Sequence, residues 1–461
     1  MENASRNWSE LEFCAIDLGD KRLDDRFQAT MEKLYHQPMS PINKACATWS
    51  DTKAAYRLFD NKKLDLKKIL LPHQERTVER MQSEKVILAI QDTTFLNYDA
   101  HFAKKGLGAI GSSNNKIHQG LVIHNTLAVT TEGLSLGLLE QQIYARRRNI
   151  KEISNKTLPI EEKESFRWLK AMRRVFELTD KKVRVVTLGD READIFELFH
   201  FGQESGSEFV IRASWDRILD NEKTNDKKYL WDFMKKQPLL GKIEISIPIE
   251  DGKTRLAFTE IKIGKIKLKC PQRKGKRLSD VGLYAVWLKE PLPPKGVKPI
   301  EWMLLTNIIC SSFKDAMEKI NWYKTRWQIE IFHKILKSGC KVEDCRLEEV
   351  SRLERYLTVM SIIAWRLHWM TYMNRVVPDE SCTIVFADYE WKALYLKINK
   401  EKSFPKKPPN VRHAIRWMAQ LGGFLARKSD KEPGIVSIWR GWQRLHDIAE
   451  SFLLFNHETC G

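Results

Sequence analysis

Two aspartates follow apolar, β-branched segments, where a mixed sheet would place catalytic groups. Asp92 follows Val86–Ile90 and one glutamine, and Asp190 follows Val183–Leu188 and one glycine. Ligands of open α/β sheets gather beyond the carboxyl ends of the strands, so both carboxylates are candidates for a functional site. Aspartate is also a common helix cap, so either residue alone fits a structural role equally well.

A third acid lies in a helical pattern between Trp322 and Lys337. At about 100° per residue, five polar side chains point within about 60° of the direction of Glu330 on a helix. They are Tyr323, Arg326, His333, Lys334 and Lys337. One acid among cations is typical of a solvent-exposed face with ion pairs, or of a metal ligand beside bound phosphate. Three carboxylates from two strands and a helix would suit Mg²⁺, which supports phosphoryl transfer.

Coarser patterns predict the elements that position these groups. The first 67 residues predict short helices, one over Asp20–Tyr35 and a second one capped by Asp51. Between residues 86 and 213, apolar runs alternate with helical patterns, which indicates a mixed α/β sheet. Strict alternation between 241 and 305 predicts an antiparallel β insertion, and long helices are predicted from Phe313 to Asn374.

The charge distribution favours a polyanionic partner. The 461-residue chain has a formal net charge of +18, and +15 of it falls within residues 68–378, while residues 1–67 hold 11 basic and 11 acidic side chains. Basic proteins often bind nucleic acid, but many are merely soluble. The cysteines form no CxxC pair, which favours free thiols. Without a leader or an apolar run of about 18 residues, we expect a cytoplasmic protein with no membrane partner.

Together, the motifs resemble the DDE transposases of the IS-four insertion-sequence family, in particular those of the transposon 5 type. Tyr323, Arg326, Glu330 and Lys337 have the spacing of that family's Tyr-Arg-Glu-Lys signature. The segments that carry its first and second catalytic aspartates resemble Ala89–Thr94 and Asp190–Ile195. Further similarity extends over nearly the whole chain, in Lys163–Ser165, Trp168, Phe209–Arg212, Pro293–Gly296, Trp302–Thr306 and Leu421–Phe424.

The resemblance implies an α/β fold with three domains. Residues 68–375 would form an RNase H-like (retroviral-integrase-like) catalytic core, interrupted by the antiparallel β insertion at about 230–308. A helical N-terminal domain, 1–67, would bind transposon-end DNA, and a helical C-terminal domain, 376–461, would dimerise. In the last of these domains, apolar residues recur at the spacing of a helix face that could contact a partner, and a core helix would show the same spacing. These residues are Trp439, Trp442, Leu445, Ile448 and Phe452.

The resemblance also assigns roles to single residues. Asp92, Asp190 and Glu330 would be the catalytic, metal-binding triad, with Mg²⁺ as the ion and Mn²⁺ as a substitute. Phosphates of the transposon end would be bound by Tyr323, Arg326 and Lys337, with His333 and Lys334 close by.

Further DNA contacts are implied outside this motif. Arg212 would contact the end DNA, and Trp302 would stack on a flipped base, a role that suits an indole. Composition alone favours a core position for that tryptophan. Candidates for end recognition in the N-terminal domain are Lys21, Arg22, Arg26, Lys44, Lys53 and Arg57.

The implied reaction is cut-and-paste transposition. Two subunits would pair two ends, cleave both strands by way of a hairpin, and join the 3′ ends to target DNA. One alternative is a catalytically inactive DNA-binding inhibitor or synapsis factor derived from a transposase, and another is a stand-alone RNase H-like nuclease. The presence of all three carboxylates counts against the first alternative, and the full-length similarity counts against the second.

Overall fold

Strands of the described residues form one mixed sheet. The computed structural model describes residues 8–146, 158–179, 183–220, 227–248, 254–272, 278–401 and 403–457. The strands in chain order are β1 (Val86–Asn97), β2 (Gly108–Ser113), β3 (Lys116–Thr130), β4 (Ser135–Tyr144), β5 (Arg184–Gly189), β6 (Glu208–Arg212), β7 (Ile218–Leu219), β8 (Lys228–Tyr229), β9 (Gly241–Pro248), β10 (Thr254–Leu268), β11 (Val281–Lys289) and β12 (Glu301–Thr306).

Helices precede the sheet, cover its faces and follow it. They are α1 (Trp8–Glu12), α2 (Lys21–His36), α3 (Ile42–Ala45), α4 (Trp49–Asp60), α5 (Leu66–Met81), α6 (Phe166–Leu178), α7 (Phe196–Ser205), α8 (Leu230–Lys235), α9 (Phe313–Thr325), α10 (Gln328–Lys334), α11 (Val350–Val376), α12 (Asp388–Asn399), α13 (Val411–Leu421) and α14 (Ile435–His457). Within the described residues, none of these helices combines the length and apolarity that a membrane crossing requires.

Strands β1, β5 and β6 pair in parallel at the centre of the sheet. Strand β1 lies between β3, which is antiparallel to it, and β5, which is parallel to it, and β6 is parallel to β5. Strands β12, β11 and β10 then follow in antiparallel order beyond β6. The antiparallel strands predicted between 241 and 305 therefore extend the same sheet, which confirms the mixed α/β class.

Successive side chains of β1 point alternately to the two faces of the sheet, which are covered by different helices. Leu88 and Ile90 lie in a core cluster with α10 and α11, whereas Ile87 and Ala89 lie in a cluster with α6. Since successive side chains of a strand point to opposite faces, every residue of even number in this part of β1 faces α10.

The N-terminal and C-terminal helices share the core of the central helix α11. Arg355 of α11 donates hydrogen bonds to the carbonyl oxygens of Leu64 and Phe59, at 2.8 and 2.9 Å. The indole of Trp442 in α14 donates to the carbonyl of Tyr35 in α2, at 3.0 Å. Helices from both ends of the chain thus pack against one another as well as against α11.

Several predicted elements differ from the structure. The helix predicted over Asp20–Tyr35 is confirmed as α2, with Asp20 as its cap. The prediction of Asp51 as a cap is wrong, because α4 begins earlier and the Thr48 hydroxyl accepts the hydrogen bond of the Asp51 N–H. The stripe on α14 faces inward, since Trp439, Trp442 and Leu445 are buried. The core-helix alternative is therefore observed for these three residues.

The long helices predicted between Phe313 and Asn374 are observed as α9, α10 and α11. Helix α9 ends at Thr325, and α10 runs into a π-helical turn over Ile335–Gly339. Lys341 then adopts a left-handed conformation with φ of 48°, which an α-helix does not accommodate. π-turns are frequent at functional sites, and this one carries Lys337.

Candidate active site and DNA-binding surface

The parallel register brings the two predicted aspartates to the same height on adjacent strands. Ile90 of β1 pairs with Leu188 of β5 at the end of their parallel ladder. Asp92 and Asp190 each lie two residues further on, so both point to the face that α10 covers. Strand β1 does not end at Asp92, as the sequence predicts, because it continues to Asn97 in antiparallel pairing with β3.

Asp190 combines two roles that the sequence left open. Its carboxylate accepts a hydrogen bond from the Glu192 N–H at 2.8 Å and so caps the 3₁₀ turn Arg191–Ala193. It also lies near enough to Asp92 to affect that group's ionisation. A helix-cap geometry therefore does not argue against a place in the site.

Glu330 reaches the aspartates from α10, with Arg326 between them. The Arg326 Nη2 atom donates to Glu330 Oε1 at 2.6 Å, and its Nη1 atom lies 4.0 Å from Asp92 Oδ2. One guanidinium thus contacts two of the three carboxylates. The structure brings Asp92, Asp190, Arg326 and Glu330 together.

His333 also faces Asp92 and is held in one orientation. Its Nδ1 atom lies 3.8 Å from Asp92 Oδ2, and its Nε2 atom accepts from Asn125 Nδ2 at 3.1 Å. The Asn125 amide is itself oriented, because its oxygen accepts from Gln141 Nε2 at 2.8 Å. The proton of the neutral ring therefore lies on Nδ1, toward Asp92.

Electrostatics at the site oppose the ionisation of Asp92. Burial raises the pKa of this carboxyl from 3.8 to about 7, and repulsion by Asp190 and Glu330 adds to the increase, while Arg326 opposes it. Burial lowers the pKa of His333 to about 3, so this ring is neutral at physiological pH and cannot compensate the acids. Oxygen ligands that repel one another in a partly buried cleft suit a hard divalent cation such as Mg²⁺.

The predicted base-stacking and phosphate-binding residues extend this site along the sheet. Arg212 is the last residue of β6 and donates to the Glu301 carbonyl at 2.8 Å. Trp302 of β12 is half-buried, and its ring lies 5.2 Å from that of Tyr323, at 66°. The Arg326 guanidinium lies 5.9 Å from the Tyr323 ring centre. These residues form a continuous wall beside the carboxylates.

Lys337 of the motif and its neighbour Lys334 lie further along. Lys337, in the π-turn, has its Nζ atom 3.9 Å from Glu343 Oε1, and Lys334 is exposed. The turn itself is wedged against the C-terminal helices, since a Cβ atom on Gly339 would meet the Trp439 ring at 2.7 Å.

A polar clamp fixes α10 to α11 beside Glu330. The side chain of Gln328 donates to the Tyr372 hydroxyl at 2.5 Å, and its oxygen lies 3.1 Å from His368 Nε2. The pKa of His368 is lowered to about 3 by burial, so the ring stays neutral. This clamp holds the segment that carries Glu330 in one position relative to the sheet.

Comparison with known protein families gives three matches. Residues 163–367, which include Asp190 and Glu330, match a transposase DDE domain. Residues 5–64 match a transposase DNA-binding domain, and residues 362–453 match the transposase Tn5 dimerisation domain. The chain belongs to the Tn5-type DDE transposases. The resemblance found in the sequence is confirmed, as is the enzyme class.

For this transposase, a DDE catalytic domain implies an RNase H-like core and chemistry with a divalent metal. The central order β3, β1, β5, β6, flanked by helices on both faces, provides the mixed sheet of such a core. Asp92 lies outside the matched residues 163–367, so its place in the site rests on the geometry described above.

The cations predicted for end recognition lie away from the carboxylates. Lys21, Arg22 and Arg26 are exposed on α2, and Lys44, Lys53 and Arg57 are exposed on α3 and α4. All fall within the DNA-binding match, and no contact joins them to the triad among the described residues. Trp49, 78% exposed, precedes Lys53 and Arg57 by one and two helical turns on α4.

Two residues of the transposase site were missed in the sequence. Trp327 is 60% exposed at the break between α9 and α10. At about 100° per residue it lies about 60° from Glu330, so the helical phase already included it. Asn125, which orients His333, could not be predicted, because it lies in a buried strand and its partner His333 is distant in the sequence.

Proposed function

We propose that this transposase carries out cut-and-paste transposition. It binds transposon ends, cleaves both DNA strands by Mg²⁺-dependent phosphoryl transfer through a hairpin, and joins the 3′ ends to target DNA. The observation that carries this proposal is that Asp92, Asp190 and Glu330 meet at one place: Arg326 contacts Asp92 and Glu330, and Asp190 and Glu330 both raise the pKa of Asp92. An exposed face with ion pairs would not require three acids from three separate elements to lie close enough to affect the ionisation of one of them.

The three carboxylates are the proposed metal ligands. A bound Mg²⁺, or Mn²⁺ in its place, would neutralise charge on the scissile phosphate and activate the attacking oxygen. Arg326 contacts Asp92 and Glu330, and a guanidinium pairs with phosphate as well as with carboxylate. We infer that Arg326 exchanges these carboxylates for a DNA phosphate when the site is loaded.

Neighbouring residues have distinct proposed roles. His333 is neutral, and its Nδ1–H faces the Asp92 carboxylate at 3.8 Å without adding charge. The Tyr323 hydroxyl and the Lys337 ammonium bind phosphates of the transposon end, with Lys334 on the same side. Arg212 contacts the end DNA, and Trp302, half-buried against Tyr323, offers its free ring surface to an unpaired base.

The proposed domains divide these tasks. Residues 1–67 recognise the transposon end through Lys21, Arg22, Arg26, Lys44, Lys53 and Arg57. Residues 68–375, with the β-rich insertion at about 230–308, carry catalysis. Residues 376–461 support the homodimer of the synaptic complex, and the enzyme works in the cytoplasm on chromosomal DNA. The DNA-binding and dimerisation matches support the first and last of these assignments.

Cleavage of a plasmid that carries the DNA flanking the gene tests the proposal. Wild-type protein with Mg²⁺ should excise a discrete fragment, and Asp190→Ala should still bind the flanks without cutting them. Glu75→Ala, which removes an exposed acid on α5, is the matched control and should cut normally. Binding of the flanks without cleavage by the wild type would favour the inactive inhibitor or synapsis factor. Cleavage without strand joining would favour a stand-alone nuclease.

A further inference from the structure

Three side chains with metal-binding chemistry meet where α2, α12 and α14 pack together. They are His36 at the end of α2, Glu390 in α12 and His446 in α14, and one ligand atom from each lies within 4.8 Å of the others. The cluster shares no residue with the carboxylate site. It joins residues that are far apart in the chain.

Two of the three side chains are almost completely buried. His446 and Glu390 are each 5% exposed. The Nε2 atom of His446 has no hydrogen-bond partner and lies 3.8 Å from Glu390 Oε1. The other Glu390 oxygen accepts from the Ala387 N–H at 2.7 Å, so Oε1 is the atom left for the histidines. A buried polar atom without a partner is costly, and such atoms often mark a binding site.

The protonation of the cluster suits a cation. Burial lowers the pKa of His36 to about 4 and holds that of His446 well below its ordinary range. Both imidazoles are therefore neutral at physiological pH, which is the form that binds metals. Burial raises the pKa of Glu390 to about 7, and the hydrogen bond from the Ala387 N–H and the charge on Arg366 offset this increase only in part.

We propose that His36, Glu390 and His446 form a binding site for a borderline-soft divalent cation, and that Zn²⁺ fits it best. Two imidazole nitrogens and one carboxylate oxygen are a ligand set that Zn²⁺ uses, with a fourth position open to water. Mg²⁺ prefers oxygen ligands and would not compete with Zn²⁺ for this cluster. The site is therefore distinct in chemistry from the catalytic one.

Binding requires a small local rearrangement. The rings of His36 and His446 are stacked, with centroids 3.8 Å apart and planes at 24°. Tetrahedral ligation with bonds of about 2.0–2.1 Å brings ligand atoms to about 3.3 Å from one another. The rings must turn out of their stack to reach this distance. His36 is only half-buried at a helix end, so its ring is more accessible than that of the buried His446.

The bound cation would tie the two ends of the transposase together. His36 lies within the DNA-binding match, and Glu390 and His446 lie within the dimerisation match. A shared ion would fix α2 against α12 and α14, and thereby fix the orientation of the end-recognition helices relative to the dimerisation region. Loss of the ion would loosen this contact without touching the catalytic carboxylates.

Metal binding to the full-length protein tests the proposal. The triple variant Asp92→Asn, Asp190→Asn, Glu330→Gln removes the catalytic site and serves as the background. In this background, calorimetry should give one equivalent of Zn²⁺, Co²⁺ should give the intense visible absorption of tetrahedral coordination, and Zn²⁺ should raise the melting temperature.

Single changes in the same background locate the ion. His36→Gln and Glu390→Gln should each abolish the Co²⁺ absorption and the Zn²⁺-dependent rise in melting temperature. His413→Gln, which removes an exposed histidine of α13, should leave both unchanged. Circular dichroism establishes that each variant is folded, and His36→Gln, the less buried change, decides the matter if Glu390→Gln unfolds.

Two results would overturn the proposal. One is the absence of both stoichiometric Zn²⁺ binding and Co²⁺ absorption in the background protein. The other is their persistence in folded His36→Gln. Neither readout depends on DNA cleavage, so the outcome is independent of the proposed transposition.

Discussion

Asp92→Asn should abolish DNA cleavage and at the same time stabilise the folded protein. The Asp92 side chain is 17% exposed, and its pKa is about 7 instead of 3.8. Burial, together with repulsion from Asp190 and Glu330, outweighs the attraction of Arg326. An acid whose folded-state pKa lies above its unfolded value opposes folding when it is ionised, and this effect is complete above about pH 7.

The size of the effect follows from the two pKa values. The difference between 3.8 and about 7 corresponds to about 4 kcal/mol, at 1.36 kcal/mol for each pH unit. This figure is an upper limit, because water and side-chain relaxation screen charges in a cleft. We expect Asp92→Asn to raise the free energy of unfolding by about 1–3 kcal/mol at pH 8.

Urea unfolding in EDTA at several pH values measures this gain. The advantage of Asp92→Asn should be greatest at pH 8 and should decline between about pH 7 and pH 4, as the wild-type carboxyl takes up a proton. Asp99→Asn is a control of opposite sign, since the Gln119 N–H, His118 and Lys116 hold the pKa of Asp99 at about 2. That variant should be less stable than wild type at pH 8.

Either of two results would refute the reasoning. Asp92→Asn could be no more stable than wild type at pH 8, which would mean that the folded protein already compensates the charge. Alternatively, its gain could stay constant from pH 8 to pH 4, which would trace it to packing and not to ionisation.

Three further predictions concern the reaction itself. Cleavage at limiting Mg²⁺ should fall as the pH drops below about 7, and more Mg²⁺ should restore it, because protons and metal compete for Asp92; a decline insensitive to Mg²⁺ would implicate another group. Lys337→Ala should weaken end binding for all sequences and lower the slope of log K against log salt by about one, in filter-binding titrations; an unchanged slope would exclude a phosphate contact. Trp302→Ala should slow hairpin formation more than first-strand nicking in a gel assay, and equal slowing of both steps would indicate a core role.

Local patterns predicted the parts of the fold that local interactions determine. Asp20 caps α2 because its carboxylate reaches a backbone N–H two residues away, and the sequence shows both partners. The antiparallel strands were also predicted, because the alternation of apolar and polar residues is a pattern within each strand. Strand β1 was predicted too short, since the polar residues after Ile90 interrupt the apolar run, whereas β3 provides their backbone partners.

Distant contacts account for what the sequence could not predict. Trp442 faces inward because it donates to Tyr35, which lies in α2 near the other end of the chain. The π-turn at Ile335–Gly339 depends on close packing against Trp439. The spacing of the Tyr-Arg-Glu-Lys motif indicated which side chains share a face, but not that Arg326 would bridge Asp92 and Glu330.

Helix α11 forms one unbroken rod that joins the DDE domain to the dimerisation domain. Its 27 residues span about 40 Å at 1.5 Å per residue. The catalytic and dimerisation matches overlap within it, at residues 362–367, so no hinge separates them. Gln328 locks the segment of Glu330 onto the same rod. In a dimer formed through residues 362–453, the separation of the two carboxylate sites would therefore be a property of the protein scaffold, and the stagger between the two cuts in target DNA would follow from that length.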